Sequence, residues 1–382
     1  MAAARPNADE RWMRRALALA WRGAGATRPN PPVGAVVVRG GRRVGEGYHR
    51  RAGGPHAEIY ALRAAGRAAR GATLYVTLEP CSTQGRTPPC TAAILRSGIA
   101  RVVAAVRDPN PRHRGRGLRR LRAAGVEVVE GVGAPEAAEL IRPFRTWILS
   151  GRPFVTLKLA VTLDGRIADA RGRSRWISGP AARRYVRRLR GRVDAIMVGG
   201  RTARLDDPAL LPGRAARRPW RVILMGREGL PPRLRALRDE RAAQTLLVTT
   251  AAGARAARRL CGPRGARVLP VAATGKGRVS LADALRQLGR LGVLHALCEG
   301  GGEVAASLLR AGLVDELLLF VAPRVLGGRQ AAPAVGGAGW TLRSGPRFRI
   351  RDCRRLGADL LIRAEPAPAR APRRGGRTCS RD

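Results

Sequence analysis

Two short stretches decide the fold of the first half of the chain: Pro-His-Ala-Glu at residues 55–58 and Glu-Pro-Cys-Ser-Thr-Gln-Gly-Arg-Thr-Pro-Pro-Cys at residues 79–90. The first opens a predicted helix, and the second leaves a predicted strand and enters the next helix. His56, Cys81 and Cys90 offer one imidazole and two thiolates. Three such ligands leave a fourth position for water, which is the arrangement of a catalytic zinc site. The spacing therefore predicts a metal centre at the strand–helix junctions of an α/β domain.

Glu58 lies two residues beyond His56, so its carboxylate can face the open metal position without being a ligand. We expect it to take a proton from water and pass it to a ring nitrogen and a departing amine. This His-x-Glu and Pro-Cys division of labour is that of zinc deaminases, although a long loop here replaces their Cys-x-x-Cys. A capping histidine and ordinary buried thiols would explain each residue singly, but not the four together.

The surrounding pattern alternates strands and helices, which indicates a sheet sandwiched by helices. A second pattern of the same kind begins near Ser150, where a turn precedes the predicted strand 154–159. After about Arg363, Pro, Gly and Arg dominate and no apolar period survives, so a disordered tail is predicted. At the other end, an amphipathic helix with Asp9 as its N-cap is predicted before Trp21.

The composition is strongly basic, with a formal net charge of +46 over 382 residues. All but two of the 73 basic residues are arginines, and they occur in almost every segment. A shared preference for GC-rich codons explains this bias more simply than a nucleic-acid interface, although a field this basic attracts anions. The sequence has no apolar run long enough for a membrane span. Six cysteines without a compact even spacing predict a cytoplasmic protein with reduced thiols.

The chain resembles the bifunctional deaminase–reductases of bacterial riboflavin biosynthesis. The resemblance covers roughly residues 8–362, and its most specific part is the stretch Gly85–Cys90. The matching motifs are Pro29–Gly34, His56-Ala57-Glu58, Thr77–Cys90, Leu157–Ala160, Leu163-Asp164-Gly165, Ser174–Ile177, Thr202–Leu210 and Glu299–Gly302.

This resemblance implies a cytidine-deaminase-like three-layer domain over residues 1–149 and a dihydrofolate-reductase-like domain over residues 150–363, followed by a tail over residues 364–382. The absence of a Gly-x-Gly-x-x-Gly fingerprint agrees with a fold other than the Rossmann fold. The first domain would use one zinc ion to deaminate 2,5-diamino-6-(5-phosphoribosylamino)pyrimidin-4(3H)-one. The second would use NADPH to reduce the ribosyl side chain to ribityl. We expect a homo-oligomer that binds this small molecule and neither a membrane nor a specific nucleic acid.

The resemblance also implies site residues beyond the zinc ligands and Glu58. Those matched to the pyrimidine and phosphate pocket of the deaminase are Asn30, His49, Arg86 and Thr87. Those matched to NADPH contacts are Ala160, Trp176, Thr202, Asp206, Gly301, Gly302 and Glu303. Those matched to the substrate of the reductase are Ser174, Arg190, Leu210, Arg214 and Glu299. A core position for Trp176 and a turn cap for Asp206 remain alternatives.

Two departures from the family pattern bear on activity. The family usually has a histidine directly after Cys-Ser, where this chain has Thr83, which is shorter and cannot carry charge. The family often has Asp-Ser after the strand that here ends at Leu224, where Met225-Gly226 removes a candidate cofactor contact.

Two other functions remain open on the sequence alone. A deaminase acting on a nucleic acid would share the zinc site and would explain the charge, but not the long Cys81–Cys90 loop or the second domain. A reductase domain that has decayed into a structural or dimerising role would fail to bind NADPH.

Overall fold

The computed structural model describes residues 7–85, 88–213, 218–226, 228–262 and 265–368. The described α-helices are α1 (Ala8–Gly23), α2 (Ala57–Ala65), α3 (Cys90–Arg96), α4 (Arg116–Ala123), α5 (Ala134–Leu140), α6 (Arg142–Ser150), α7 (Pro180–Arg190), α8 (Gly200–Asp206), α9 (Arg235–Arg238), α10 (Ala251–Leu260), α11 (Leu281–Arg290) and α12 (Gly302–Arg310). Among the described residues, no helix is both long enough and apolar enough to span a membrane.

The described strands alternate with these helices, as the sequence pattern predicts. They are β1 (Gly34–Arg39), β2 (Arg42–Tyr48), β3 (Thr73–Val76), β4 (Arg101–Ala104), β5 (Glu127–Glu130), β6 (Phe154–Thr162), β7 (Arg166–Ala168), β8 (Ala195–Gly199), β9 (Trp220–Leu224), β10 (Thr245–Thr250), β11 (Arg267–Val271), β12 (His295–Cys298), β13 (Glu316–Ala322), β14 (Ala332–Pro333), β15 (Phe348–Leu356) and β16 (Asp359–Pro366).

The chain divides into two compact units. The first contains the residues up to Phe154 together with Tyr185–Leu297, and the second contains Val155–Arg184 together with the residues from Cys298 onward. The second half of the chain therefore contributes to both units.

The N-terminal part of the first unit is a five-stranded sheet between two helical layers. Its strand order is β2-β1-β3-β4-β5, with β1 antiparallel to β2 and β3, and with β3, β4 and β5 parallel. Along β1, Ala35 and Val37 pack in the core shared with α2, α3 and α4, whereas Val36 and Val38 pack in the core shared with α1 and α5. Alternate strand residues point to opposite faces, so a sheet that is apolar on both faces needs a helical layer on each. This confirms the predicted three-layer architecture.

The start of α1 differs from the prediction. Asn7, not Asp9, is the N-cap, because its Oδ1 accepts a hydrogen bond from the backbone N–H of Glu10 at 2.8 Å. Asp9 lies in the first turn and accepts hydrogen bonds from the Tyr75 hydroxyl at 2.7 Å and from the Arg101 guanidinium at 2.9 Å. The Arg101 hydrogen bond lowers the pKa of Asp9. Because Tyr75 lies on β3 and Arg101 on β4, these contacts link the start of α1 to the sheet.

The remaining strands of the first unit include a parallel run in the order β11-β10-β9-β8. In the second unit β6 pairs with β13 in parallel, and β13 pairs antiparallel with β16 of the β15–β16 hairpin. Strand β16 extends to Pro366, three residues into the stretch predicted as a tail, and residues 369–382 of that stretch lie outside the described residues.

One buried ion pair of the first unit gives a test of its packing. The Arg221 side chain is 2% exposed, and its guanidinium nitrogens donate to both carboxylate oxygens of Asp239 at 2.6 and 2.7 Å. Asp239→Asn leaves this guanidinium buried without its counter-charge, which we expect to lower the free energy of unfolding by about 3 kcal/mol. Glu46→Gln, at a carboxylate that pairs with the solvent-exposed Arg15 and Arg43, should cost about 1 kcal/mol or less. Urea unfolding followed by circular dichroism measures both free energies of unfolding. Equal losses in the two variants would contradict the view that burial makes the Arg221–Asp239 pair the more important one.

Candidate active site

His56, Cys81 and Cys90 converge on one point at the edge of the five-stranded sheet. His56 is the N-cap of α2, Cys90 is the first residue of α3, and Cys81 lies in the loop before α3. Their donor atoms all lie within 4.8 Å of one another. His56 Nδ1 is 3.2 Å from Cys90 Sγ and 3.6 Å from Cys81 Sγ.

This spacing fits a tetrahedral zinc ion. Zinc bonds of about 2.3 Å to sulfur and about 2.0–2.1 Å to nitrogen place neighbouring ligand atoms about 3.6 Å apart. The nitrogen–sulfur distances agree with that value, and one imidazole with two thiolates is a donor set that zinc prefers. The three predicted ligands thus form a site of suitable size and chemistry for this metal.

The surroundings favour the thiolate form of Cys81. The Cys90 thiol, the His56 ring and the Cys90 backbone N–H (3.3 Å away) donate hydrogen bonds to its sulfur and lower its pKa to about 4. The hydrogen bond to Cys81, together with burial, raises the pKa of the Cys90 thiol. A lowered thiol pKa favours metal binding, because the thiolate is the ligand form of cysteine.

Glu58 lies in the first turn of α2 and is only 3% exposed. Burial raises its pKa, because removal from water disfavours the charged carboxylate. A buried carboxyl group of raised pKa beside a metal site can both accept and return a proton. The placement therefore agrees with the proton-transfer role predicted for Glu58.

Asn30 and His49 form a hydrogen-bonded pair beside His56. The Asn30 amide Nδ2 lies 3.1 Å from His49 Nε2, and His49 Nδ1 lies 3.0 Å from the Pro55 carbonyl oxygen. The amide nitrogen can only donate, so Nε2 accepts and Nδ1 carries the proton. Burial lowers the pKa of His49, which agrees with this neutral ring. The ring centroids of His49 and His56 are 5.3 Å apart, so the structure brings these predicted residues together.

The sequence reasoning missed Glu79, which fixes the loop that carries Cys81. Its buried carboxylate accepts hydrogen bonds from the backbone N–H groups of Asp108, Gly115 and Gly117 at 2.8–3.0 Å. A Cβ atom at Gly117 would lie 1.9 Å from the carbonyl oxygen of Pro80, so only glycine allows this close approach. The loop over residues 108–117 is thereby held against the metal-binding loop. The position of Glu79, two residues before Cys81, was the available signal.

By holding the 108–117 loop in place, the Glu79 hydrogen bonds also bring a histidine close to Thr83. His113 Nδ1 lies 3.3 Å from Thr83 Oγ1, and both side chains are partly exposed. The sequence reasoning did not assign a role to His113. An imidazole therefore does lie beside the position where the family usually has one, supplied by another segment of the chain.

The second unit holds a cavity of about 290 Å³ around the predicted cofactor residue Trp176. Trp176 is 62% exposed, which excludes the core alternative, and the Arg183 guanidinium lies 4.7 Å from its ring centroid. Asp359, which is buried and accepts a hydrogen bond from the Gly179 backbone N–H at 2.7 Å, also lines this cavity. The sequence reasoning missed Arg183 and Asp359 here. The lining residues are Trp176, Ile177, Ser178, Gly179, Arg183, Ala322, Pro323, Arg324 and Asp359.

The Gly301–Glu303 turn, also in the second unit, opens α12. Gly301 has a φ of 48° and serves as the N-cap. The Glu303 carboxylate accepts a hydrogen bond from the Gly337 backbone N–H at 3.0 Å, so this side chain holds the neighbouring loop. The other predicted residues of this unit, partly buried in each case, are Ala160 on β6, Ser174 before Trp176, and Glu299 after β12.

The first unit holds the remaining described reductase residues. Arg190 ends α7 and donates to the Leu211 carbonyl oxygen at 3.1 Å, while Leu210 is buried with a φ of 49°. Thr202 and Asp206 lie on α8. Met225 is 8% exposed and packs in the apolar core, so it is a core residue at the position of the missing cofactor contact. The predicted residues Arg86, Thr87 and Arg214 lie outside the described residues.

The architecture and the cluster together define a class: a zinc-dependent deaminase domain of the cytidine deaminase type. The model of the cytidine and deoxycytidylate deaminase zinc-binding region matches residues 6–106, and that of the RibD C-terminal domain matches residues 153–362. The chain belongs to the RibD family of riboflavin biosynthesis proteins.

Relatives and solved structures cover nearly the whole chain. The riboflavin biosynthesis protein RibD of Escherichia coli K12 is 41% identical over 93% of this chain and 98% of its own length. That of Aquifex aeolicus is 42% identical over 93% and 97%. The structure of Acinetobacter baumannii RibD superposes with a TM-score of 0.84 at 36% identity, covering 94% of this chain and 99% of that one. A Thermotoga maritima diaminohydroxyphosphoribosylaminopyrimidine deaminase/5-amino-6-(5-phosphoribosylamino)uracil reductase gives 0.82 at 35%, with the same coverage.

The assignment of the metal ligands predicts the effect of one substitution. Cys90→Ser replaces a thiolate with a weak hydroxyl ligand, so the purified protein should contain less than about a tenth of the zinc of the wild type. Cys261→Ser, at a partly buried cysteine outside the cluster, is the control and should leave the zinc content unchanged. Mass spectrometry of the metal in both proteins gives the answer. A full zinc content in Cys90→Ser would remove Cys90 from the ligand set.

Proposed function

We propose that the chain catalyses two successive steps of riboflavin biosynthesis. The first is hydrolytic deamination of 2,5-diamino-6-(5-phosphoribosylamino)pyrimidin-4(3H)-one, and the second is NADPH-dependent reduction of the ribosyl group to ribityl. The observation that carries the proposal is the His56–Cys81–Cys90 cluster with Glu58 buried beside it. The family membership extends it to the second step and to this substrate.

In the deaminase site each group has a task that follows from its placement. His56, Cys81 and Cys90 would hold zinc, which when bound activates a water for attack on the carbon that carries the amino group. Glu58 would carry one proton of the attacking water to the ring nitrogen. It would carry a second, released as the new hydroxyl becomes a carbonyl, to the departing amine, which leaves as ammonia. Burial raises the pKa of this carboxyl group, which suits a residue that must give back the proton it accepts.

Asn30 and His49 orient the pyrimidine. The His49 tautomer is fixed by its two hydrogen bonds, so its ring cannot turn freely beside the metal site. The Asn30 amide carries both donor and acceptor atoms, which suits the edge of a pyrimidine. The resemblance assigns Arg86 and Thr87 to binding the same substrate, because a guanidinium suits the phosphate group.

In the reductase half, NADPH supplies the hydride that reduces the sugar carbon. The chain would provide the aromatic ring of Trp176 and the positive charge of Arg183 as contacts for the cofactor. It would also provide the glycine turn at Gly301-Gly302, where backbone amides at a helix N-terminus can approach a phosphate. Cofactor contacts at Ala160, Thr202, Asp206 and Glu303, and substrate contacts at Ser174, Arg190, Leu210, Arg214 and Glu299, belong to the same proposal.

We further propose a deaminase domain over residues 1–149, a reductase domain over residues 150–363 and a tail over residues 364–382. The described cysteines are all free thiols, which supports a cytoplasmic location. A homo-oligomeric assembly without a specific nucleic-acid partner stays a prediction.

Product masses test the two steps together. The zinc-loaded protein is incubated with the diaminopyrimidine substrate, with and without NADPH. Without the cofactor we expect only exchange of the amino group for oxygen, and with it a further gain of two hydrogens. Ammonia release with no NADPH-dependent product would leave a deaminase whose second domain does not reduce this substrate.

Glu58→Gln separates the proton transfer from metal binding. The amide keeps the shape of the side chain but cannot accept the proton, so deamination should fall by about 10²-fold or more. Zinc content and NADPH-dependent reduction of the supplied deaminated intermediate should match the wild type. Glu46→Gln, on the exposed face of β2, is the control. Normal deamination by Glu58→Gln would show that another group moves the proton.

A further inference from the structure

A buried ion pair lies behind the loop that carries Asn30. Arg28 and Asp194 form this pair, and their side chains are 12% and 3% exposed. Both belong to the first compact unit, although Asp194 comes far later in the sequence, next to β8. Removing one partner of a pair this well shielded from water leaves the other charge buried and uncompensated, which disturbs the structure around it.

Asp194 is a fixed anchor in this arrangement. Its Oδ1 faces Arg28, while its Oδ2 accepts hydrogen bonds from the backbone N–H groups of Leu294 and His295 at 2.7 and 3.0 Å. The backbone N–H of Asp194 donates to the carbonyl oxygen of His295, and its carbonyl oxygen accepts from the backbone N–H of Trp220. Burial lowers the pKa of the neighbouring His295 to about 3, which favours a neutral ring beside the pair.

Arg28 in turn fixes the turn that presents Asn30. Its guanidinium also donates to the Gly25 carbonyl oxygen at 3.0 and 3.2 Å. The Thr27 hydroxyl donates to the Asn30 carbonyl oxygen at 2.9 Å, and the Asn30 N–H donates to the Thr27 carbonyl oxygen at 2.9 Å. Two hydrogen bonds between Thr27 and Asn30 therefore close the turn. The side chain of Arg28, which lies within it, ties the turn to Gly25 and Asp194.

From Asn30 the contacts continue to the metal site. The Asn30 amide donates to His49 Nε2, and His49 Nδ1–H donates to the carbonyl oxygen of Pro55, the residue before His56. We propose that Asp194 is a positioning residue of the deaminase site, acting through Arg28 and the Thr27–Asn30 turn on Asn30 and His49. This inference rests on the proposed deaminase function. It assigns to the second half of the sequence a role in the first reaction.

The main test compares Asp194→Asn with Asp239→Asn, a matched control that removes the carboxylate from another Arg–Asp pair of the same unit. The full-length, zinc-loaded protein is assayed below the melting temperature of each variant. Both substitutions should lower Tm. Only Asp194→Asn should lower kcat/KM for deamination, by roughly tenfold, since small misplacements of orienting groups carry losses of this order or larger. Equal effects of the two variants on kcat/KM would overturn the proposal.

A double-mutant cycle asks whether Asp194 acts through Asn30. In the Asn30→Ala background, Asp194→Asn should change kcat/KM for deamination less than about twofold, because coupled residues are not additive. A loss as large as in the wild-type background would mean that Asp194 acts by another route, and would overturn the proposal.

A third readout does not depend on turnover. The chain has four histidines, so ¹⁵N-histidine NMR with His49→Gln for assignment resolves the ring nitrogens of His49. Asp194→Asn should shift the Nε2 signal of His49, and Asp239→Asn should not. Unchanged His49 signals in Asp194→Asn would contradict this inference alone, whereas absence of deamination by the wild type would contradict the proposed function.

Discussion

The deaminase site depends on one constraint: one imidazole nitrogen and two sulfur atoms, from two helix starts and one loop, must meet within 4.8 Å. The chain achieves this by placing His56 and Cys90 at the starts of α2 and α3, where the backbone direction is fixed by the helix. Cys81 has no helix to fix it. Its loop is held by the Glu79 carboxylate and by the Cys90 N–H, which also stabilises its thiolate. The same backbone N–H thus helps both to place the Cys81 loop and to lower the pKa of its thiol.

The large excess of arginine obscured which arginines matter. On the sequence, composition explains them collectively, and most do lie on the surface. Burial distinguishes a few: Arg221 is buried on Asp239, Arg28 is nearly buried on Asp194, and Arg101 ties α1 to the sheet through Asp9. A buried guanidinium needs a fully formed partner, since an unpaired buried charge is strongly destabilising. The specific role of an arginine here is given by its acid partner and its exposure, and neither can be read from composition.

How much the sequence could predict depends on how far apart the interacting residues are. The ligands, Glu58 and the alternating strands and helices follow from local spacing, and the structure brings the ligands together as predicted. Glu79 and His113 were missed because their partners lie 36 and 30 residues away, across a loop whose path no local pattern specifies. The N-cap of α1 was placed two residues too late, since Asn7 and Asp9 are both good caps and only Asp9 has a second use on Tyr75 and Arg101.

The Thr83 departure shows why a single motif position is a poor guide to a site. Taken alone, threonine in place of histidine removes a ring and a titratable group. In the folded chain, His113 reaches the Thr83 hydroxyl because Glu79 holds the 108–117 loop in place. An imidazole thus does lie beside Thr83, supplied by a different segment of the chain. The motif position alone could not show it, because the Glu79 hydrogen bonds that hold the 108–117 loop join residues far apart in the sequence.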